Sequence, residues 1–379
     1  TGQYYYHAFL SQQPDLNWRN QQVREAIYDV MRFWLRKGVD GFRVDVIWHL
    51  IKDAEFRDNP PNPHYVEGRP PHETILTQYS TDQPEVHEVV AQMRRVIDEF
   101  GSRVLIGEVY LPLQRLVAYY GNDLAGAQMP FNFALLSTLW SARSVEKIVG
   151  DYEKALPPGA WPNWVLGNHD RPRVASRVGQ AQARVAAMLL LTLRGTPTLY
   201  YGDEIGMHQV AIAPEQVRDP FEKNVPGIGV GRDGCRTPMQ WDATPNAGFS
   251  KSVPWLPLAD DFAHENVVNL DADAQSILGL YRALIKLRKQ LPQLVIGAYE
   301  PIAAQGDLLL YRRRAEGEVL IIALNLGAEP ASVTSSAIGF GNEILLSTFL
   351  DRQHERVEGV LDLRGNEGII VGRSKDQAR

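Results

Sequence analysis

The sequence predicts the later part of a parallel (β/α)8 (TIM) barrel followed by a C-terminal antiparallel β domain. Three observations lead to this prediction. Before Pro292, amphipathic helices alternate with short apolar strands, and several of those strands end in an acidic residue. After Pro292, the pattern changes to short strands bounded by glycine-rich turns. Only about five strands precede this change, whereas a complete barrel has eight. A doubly wound open sheet is the alternative architecture.

The first unit begins with a helix over 21–35, which is predicted from apolar residues at helical spacing and is ended by Gly38. The apolar residues of its predicted buried face are Val23, Ala26, Ile27, Val30, Phe33 and Trp34. The segment 41–47 follows, and its alternating apolar and polar side chains predict a strand. In such a strand Arg43 and Asp45 project to the same side, opposite to the apolar residues.

The second unit repeats this order. Asp82 and Glu85 have the spacing of a capping box ahead of a helix with an apolar face, which Gly101 ends. The apolar run 104–109 then predicts a buried parallel strand, and Glu108 interrupts this run near its end. An acidic residue at this point is typical of a strand end that takes part in chemistry.

Further helices and strands follow in the same alternation. The predicted helices are 144–156, 181–193 and 274–291, and the predicted strands are 164–166 and 198–201, with a weaker strand at 127–133. The third unit ends in His169 and Asp170, and the fourth ends in Asp203 and Glu204. In the C-terminal part the predicted strands are 308–311, 319–324, 344–349 and 369–371.

Three of the strand-end acids are candidates for catalysis. A barrel would bring Asp45, Glu108 and Asp170 to one mouth, where their mutual repulsion should leave at least one of them protonated at neutral pH. Glycoside hydrolysis needs this arrangement, because one carboxylate attacks while a protonated carboxyl assists the leaving group. Each acid alone is more often a helix cap or part of a surface ion pair. Arg43 would keep Asp45 ionised.

Composition excludes several classes of protein. The 39 basic and 45 acidic residues give a net charge of −6, which argues against nucleic acid as the main partner. Uninterrupted apolar runs are too short to span a membrane. The single Cys235 and the lack of any Asn-x-Ser/Thr acceptor favour a cytoplasmic location. Because the first residue is Thr1 rather than Met, the chain is expected to begin inside a larger gene product.

Several segments resemble the α-amylase family of glycoside hydrolases. Three ordered signature regions of that family are matched by GFRVD at 41–45, GEV at 107–109 and NHD at 168–170. Segments typical of its oligo-1,6-glucosidase and α-glucosidase branch are matched at 13–17, 195–204 and 232–241. The resemblance implies that Asp45 is the nucleophile, Glu108 the general acid/base and Asp170 the stabiliser of the transition state.

The same resemblance implies roles for three more residues and an incomplete barrel. Arg43 and His169 would contact the reacting sugar, and Arg236 would help to close the pocket. The family's first three βα units have no counterpart, so a missing amino-terminal barrel segment is expected as part of the functional protein. The implied domains are the end of an inserted small domain (1–17), the second part of the catalytic barrel (18–292) and a C-terminal β-sandwich (293–379). No metal and no cofactor are expected.

The function implied is that of a retaining, exo-acting α-glucosidase that removes terminal α-linked (1,6 or 1,4) glucose from short oligosaccharides. Val46, directly after the nucleophile, accompanies activity on α-1,6 bonds in the resembled branch. One alternative is a trehalose synthase, another sugar isomerase or a transglucosylase with the same acids. A less favoured alternative is a non-catalytic binding module of the same fold. Phe131, Phe133, Trp241 and Trp255 could stack on sugars, but core packing is the expected role of each.

Overall fold

The structure is a computed structural model that describes residues 2–334 and 342–373. The chain divides into two compact units. The first comprises Thr1–Asn132 and Ala155–Asn163, and the second comprises Phe133–Lys154 and Trp164–Arg379. The domain boundaries inferred from the sequence remain predictions. None of the helices in the described ranges combines the length and the apolar character needed to cross a membrane.

The first unit contains a three-stranded parallel sheet in the order β1-β2-β3. Its strands are β1 (Gly41–Val44), β2 (Val104–Gly107) and β3 (Met129–Pro130). Strand β1 is shorter than the predicted strand over 41–47. It ends at Val44 because the chain turns at Val46, which has a left-handed backbone conformation (φ 38°).

Helix α1 (Gln21–Arg36) begins at Asn20, whose side chain accepts a hydrogen bond from the N–H of Gln22. Its buried residues are Arg24, Tyr28, Met31 and Leu35. The predicted buried face was therefore wrong in part. Val30, Phe33 and Trp34 are about half exposed, at 51%, 49% and 48%. Both stripes have helical spacing, so the periodicity alone could not decide which one faces the core.

Helix α2 (Val86–Asp98) buries the apolar face that its sequence predicts. The predicted capping box before it does not form. Glu85 occupies the cap position, but its side chain makes no capping bond to the helix and instead accepts from Arg19 at 2.5 Å. Asp82 accepts a hydrogen bond from the hydroxyl of Tyr119 at 2.7 Å. Asp82 also has a left-handed backbone (φ 51°), so it lies outside the helix that it was expected to start.

The second unit contains the paired strands β4 (Asn163–Val165) and β5 (Thr196–Thr198) and a buried helix, α7 (Gln180–Thr192). Nearly every residue of α7 from Gln182 onward is buried, as expected for a helix that is apolar on all sides. The other helices in chain order are α3 (Leu113–Val117) in the first unit and α4 (Ala134–Ser137), α5 (Ala142–Ala155), α6 (Val174–Val178), α8 (Pro220–Asn224), α9 (Val267–Ala272), α10 (Ile277–Gln290) and α11 (Pro292–Val295) in the second.

Arginines from later in the chain cover the C-terminal end of α7. Arg288 donates to the carbonyls of Leu191 at 2.7 Å and of Gly195 at 2.5 Å. Arg313, which is fully buried, donates to the carbonyl of Thr192. Guanidinium groups suit this place, since the last carbonyls of a helix have no partner within the helix and attract positive charge.

The C-terminal part is an antiparallel β-sandwich. A six-stranded sheet has the order β11-β10-β13-β8-β7-β6, and a second sheet pairs β12 with β9. The strands are β6 (Ala298–Gln305), β7 (Leu308–Ala315), β8 (Glu318–Asn325), β9 (Ala331–Thr334), β10 (Asn342–Ser347), β11 (Arg356–Val357), β12 (Val360–Leu363) and β13 (Gly368–Arg373). Apolar residues of both sheets, including Ile321, Val333 and Leu361, share one core.

Candidate active site

In the first unit, the ends of β1 and β2 bring Arg43, Asp45 and Glu108 together. The parallel register pairs Val44 with Gly107, so the residues just beyond the two strands are neighbours. Arg43 donates through Nη2 to Glu108 Oε2 at 2.7 Å and through Nη1 to Asp45 Oδ1. The side chain of Glu108 is only 5% exposed, whereas that of Asp45 is 72% exposed. The cluster therefore combines a buried carboxyl group with an accessible one.

The turn after Asp45 makes further contacts with Glu108. The N–H of Val46 donates to Glu108 Oε2 at 3.1 Å, and the N–H of Ile47 donates to the main-chain carbonyl of Glu108 at 3.2 Å. The N–H of Glu108 in turn donates to the carbonyl of Val44 at 3.0 Å. Glu108 is thus held through its main chain and its side chain by residues 43–47.

The environment of Glu108 favours its protonated form. Burial raises the pKa of Glu108 to about 7, and a hydrogen bond shared with the Asp45 carboxyl acts in the same direction. The N–H of Val46 and the charge of Arg43 oppose this rise. A carboxyl group with a pKa near 7 can donate a proton at neutral pH and can also accept one.

In the second unit, Asp170 lies at the centre of another charged cluster. Its Oδ1 accepts hydrogen bonds from Arg236 Nη2 at 3.0 Å and from Arg232 Nη1 at 3.2 Å. The Nε2 of His169 lies 3.4 Å from Asp170 Oδ2, and Arg236 Nε donates to the carbonyl of His169 at 2.8 Å. The Asp170 side chain is 23% exposed. The N–H of Asp170 donates to Asn168 Oδ1 at 3.1 Å, which shapes the turn after β4.

Arg232 was not among the residues singled out from the sequence. It is held by the buried Asp219, which accepts from Arg232 Nε at 2.8 Å, from Nη2 at 2.7 Å and from the Arg232 N–H at 2.9 Å. Burial raises the pKa of Asp219, but the hydrogen bonds from Arg232 outweigh it and bring the pKa to about 2. Arg232 belongs to the segment at 232–241 that resembles the family, and this resemblance is the sequence feature that could have identified it.

Asp219 and Asp233 together close the loop between them. Asp233 Oδ2 accepts the N–H groups of Arg218 at 2.6 Å and of Asp219 at 2.8 Å. Asp219 Oδ1 also accepts the N–H of Phe221 at 3.1 Å, which starts the short helix α8. Two buried carboxylates therefore fix both ends of the loop that presents Arg232 to Asp170.

Each unit therefore assembles three of the six residues predicted from the sequence. The first holds Arg43, Asp45 and Glu108, and the second holds His169, Asp170 and Arg236. Their catalytic and binding roles remain predictions.

The expectation of core packing is confirmed for Phe133, which is buried, and was wrong for two of the other aromatic residues. Trp241 is 49% exposed and Trp255 is 78% exposed. Both lie in the long stretch of short turns after β5, where the backbone follows local loop geometry and the residues have no helical or strand period that would turn them inward.

A family model described as the alpha amylase catalytic domain matches residues 1–297. The chain is 39% identical over 350 residues to a salivary alpha-glucosidase of Anopheles gambiae, covering 87% of this chain and 59% of that protein. It is 34% identical over 366 residues to an oligo-1,6-glucosidase of Parageobacillus thermoglucosidasius, covering 86% of this chain and 63% of that protein. The chain thus spans less than two thirds of the length of these relatives.

Among solved structures, an alpha-glucosyl transfer enzyme, XgtA, matches with a TM-score of 0.88 and 34% sequence identity, covering 98% of this chain and 71% of that chain. Together with the six-stranded C-terminal sheet, this likeness confirms the predicted fold class.

Proposed function

Because the chain belongs to the α-amylase family of glycoside hydrolases, we propose that the protein is a retaining, exo-acting α-glucosidase. Its substrates would be short oligosaccharides with a terminal α-linked glucose. Asp45 is the nucleophile, Glu108 the general acid and base, and Asp170 the group that stabilises the transition state. The observation that supports this proposal most directly is the Asp45 and Glu108 pair, whose environments differ as the two roles require.

The closeness of the two carboxyl groups favours retention of configuration. The guanidinium of Arg43 donates to both groups, which favours a shorter separation than the roughly 6.5 to 9.5 Å that an inverting enzyme needs to admit a water molecule between acid and base. In retaining enzymes the separation is about 5 to 5.5 Å with a sugar between the groups.

The proposed reaction has two steps. Asp45 attacks the anomeric carbon while protonated Glu108 gives its proton to the departing glycosidic oxygen, which leaves a β-glucosyl ester on Asp45. Ester formation removes the negative charge of Asp45, so the pKa of Glu108 falls and its carboxylate can accept a proton from water. That water attacks the same carbon, the ester bond breaks, and α-glucose is released. Asp170 would oppose the positive charge that develops on the sugar.

The roles of the two acids are tested with substrates of different leaving-group quality. Asp45→Asn should abolish turnover of all substrates. Glu108→Gln should slow a natural disaccharide by about 10²- to 10⁴-fold but should slow an activated aryl α-glucoside far less, because a good leaving group needs little protonation. Equal losses on both substrates would reject Glu108 as the acid. Anomer-resolved NMR of the first product should show α-glucose.

Transglucosylation is the second candidate, and the likeness to an alpha-glucosyl transfer enzyme at 34% identity favours it among the alternatives. A sugar isomerase such as a trehalose synthase would use the same three acids. In both cases a sugar rather than water intercepts the glucosyl ester. Product analysis at increasing concentration of a longer oligosaccharide distinguishes hydrolysis from transfer, because hydrolysis releases one free glucose for each bond broken, whereas transfer passes that glucose to another sugar. A non-catalytic binding module would give no turnover at all.

We further propose a preference for α-1,6 bonds. Val46 directly follows the nucleophile. The size of the side chain at this position changes which orientations of the leaving sugar fit beside the bond to be cleaved. Such a difference is worth about 1 to 3 kcal/mol. Val46→Thr should therefore shift the ratio of isomaltose to maltose cleavage towards maltose by about tenfold. Competition between the two disaccharides measures this ratio, and undetectable isomaltose cleavage by the unchanged protein would refute the preference.

An amino-terminal barrel segment is proposed to be part of the functional protein, supported by the coverage of only 59% and 63% of the relatives and by the place of β1 at the edge of its sheet.

A cytoplasmic location is proposed from the single, buried Cys235. Cell fractionation tests this location, and recovery of the protein in the secreted fraction would overturn the proposal.

A further inference from the structure

The residue that follows Asp45 has a backbone conformation that its own side chain disfavours. Val46 lies in the left-handed region (φ 38°, ψ 48°). A residue branched at Cβ is rarely found there, because its side chain crowds the main chain. Strained residues persist only where the surrounding structure holds them, and they are concentrated at functional sites.

The left-handed turn directs two consecutive N–H groups at one residue. Val46 donates to the side chain of Glu108 at 3.1 Å, and Ile47 donates to its main-chain carbonyl at 3.2 Å. An extended residue at position 46 would continue β1, and successive N–H groups would then point to opposite edges of the strand. The strain at Val46 is thus coupled to the bond that its N–H makes with the Glu108 carboxyl.

We infer that Val46 is a positioning residue, whose left-handed backbone aims its N–H at Glu108 and holds that carboxyl beside Asp45. This inference rests on the proposed function and extends it. Arg43 divides its donors between two carboxyl groups, whereas Val46 has one N–H, which donates to Glu108. A main-chain N–H can only donate, so it stabilises the ionised carboxylate that exists after the leaving group has taken the proton.

The effect of this N–H can be predicted from the groups around Glu108. The charged groups that face it are Arg43 and Asp45. Asp45 and burial raise the pKa of Glu108, while Arg43 and the Val46 N–H lower it. Loss of the N–H should therefore increase the proton affinity of Glu108 about tenfold, which is one pKa unit.

The experiment replaces the Val46 amide by an ester in the full-length protein, by incorporating the α-hydroxy analogue of valine at this position. The pKa of Glu108 is measured by ¹³C NMR of labelled glutamate, with Glu108→Gln identifying the signal. We expect that pKa to rise by about one unit. The basic limb of the pH profile of kcat/KM should move to higher pH by the same amount, since the first step needs protonated Glu108.

Two matched variants make the outcome decisive. An ester at Ile47 removes the neighbouring N–H, which bonds only to a main-chain carbonyl, and should leave the pKa of Glu108 unchanged within a few tenths of a unit. Val46→Gly keeps the N–H and relieves the strain, and should also leave that pKa unchanged. No shift with the Val46 ester, or an equal shift with either control, would overturn the inference. A shift seen by NMR without movement of the kinetic limb would support the inference and would instead reject Glu108 as the acid.

Discussion

Glu108 is a carboxyl group that the fold keeps out of water, and this has a cost for stability as well as a use in chemistry. Its pKa is raised from an ordinary value of 4.5 to about 7, chiefly by burial. Between these two values the folded protein binds more protons than the unfolded chain, so the free energy of unfolding falls as pH rises. The difference corresponds to about 3 kcal/mol at most, reached above pH 7.

Glu108→Gln should therefore stabilise the protein at high pH. We expect the melting temperature of the variant to exceed that of the unchanged protein at pH 8 and to approach it at pH 4.5, because only the ionised form carries the penalty. Thermal unfolding at both pH values measures this. Glu343→Gln is a control at a buried carboxyl of the C-terminal sheet, which lies 3.6 Å from His354 Nδ1. An equal gain at both pH values would contradict the electrostatic explanation.

Residues with a sequence signature could be predicted, and residues defined by backbone geometry could not. Arg43, Asp45 and Glu108 follow or lie within recognisable strands, and the structure groups them. The left-handed conformation of Val46 has no such signature, since valine is a residue that favours strands. Its strain, of the order of 1 to 3 kcal/mol, is visible only in the folded chain.

At the scale of the elements, the loop from Asp219 to Asp233 consists of turns and one short helix. It contributes Arg232 to the charged cluster around Asp170. Its ends are held by buried carboxylates that accept main-chain N–H groups, and Arg232 reaches from it to Asp170. Such a loop owes its order to a few side-chain bonds rather than to a packed core. Changing Asp219 should therefore loosen the whole loop and release Arg232.

Asp219→Asn should increase proteolytic cleavage within 222–231 several-fold and should raise KM more than it lowers kcat. The neutral amide keeps the size of the side chain but weakens the bonds to the Arg232 guanidinium, which are strong because both partners are charged. Limited proteolysis and steady-state kinetics measure the two effects. Glu215→Gln, on an exposed turn before the loop, is the control and should change neither. Unchanged proteolysis would show that the loop is ordered by other contacts.

How well the buried face of a helix could be predicted depends on how many apolar stripes its sequence contains. Helix α2 has one apolar stripe, and the structure buries it. Helix α1 has two stripes, and only the one with Tyr28, Met31 and Leu35 is buried in the structure. Choosing between them requires tertiary information, which a periodicity does not contain. The capping box at Asp82 failed for a related reason, because a tertiary contact with Tyr119 competes for the same carboxylate.

For the whole molecule, the half-exposed face of α1 and the edge position of β1 in the described residues support the proposal that an amino-terminal barrel segment belongs to the functional protein. Val30, Phe33 and Trp34 lie at helical spacing on that face. Strand β1 pairs with β2 on one side and is the first strand of its sheet. Exposed apolar faces and strand edges of this kind promote association unless they are covered.

Residues 1–379 produced alone should therefore self-associate and lack turnover, and a polypeptide that supplies the amino-terminal barrel strands should restore both solubility and activity. Phe33→Glu with Trp34→Glu should weaken this complementation at least tenfold, whereas Gln22→Glu, on an exposed polar position of α1, should not. Titration of the added fragment against activity gives the apparent affinity. A monomeric, cooperatively unfolding and fully active 1–379 chain would contradict the prediction.

One of the arginines that cover the end of α7 is synthesised long after the helix itself, so the end of the helix is completed late during translation. Arg313 follows its partner Thr192 by 121 residues, and at about 5 to 20 residues per second the ribosome needs roughly 6 to 24 seconds to make that stretch. During this interval the carbonyl of Thr192, at the end of an otherwise buried helix, lacks the donor that Arg313 supplies. Nascent chains stalled before residue 313 should therefore remain associated with chaperones that hold apolar segments for longer than chains that extend beyond it.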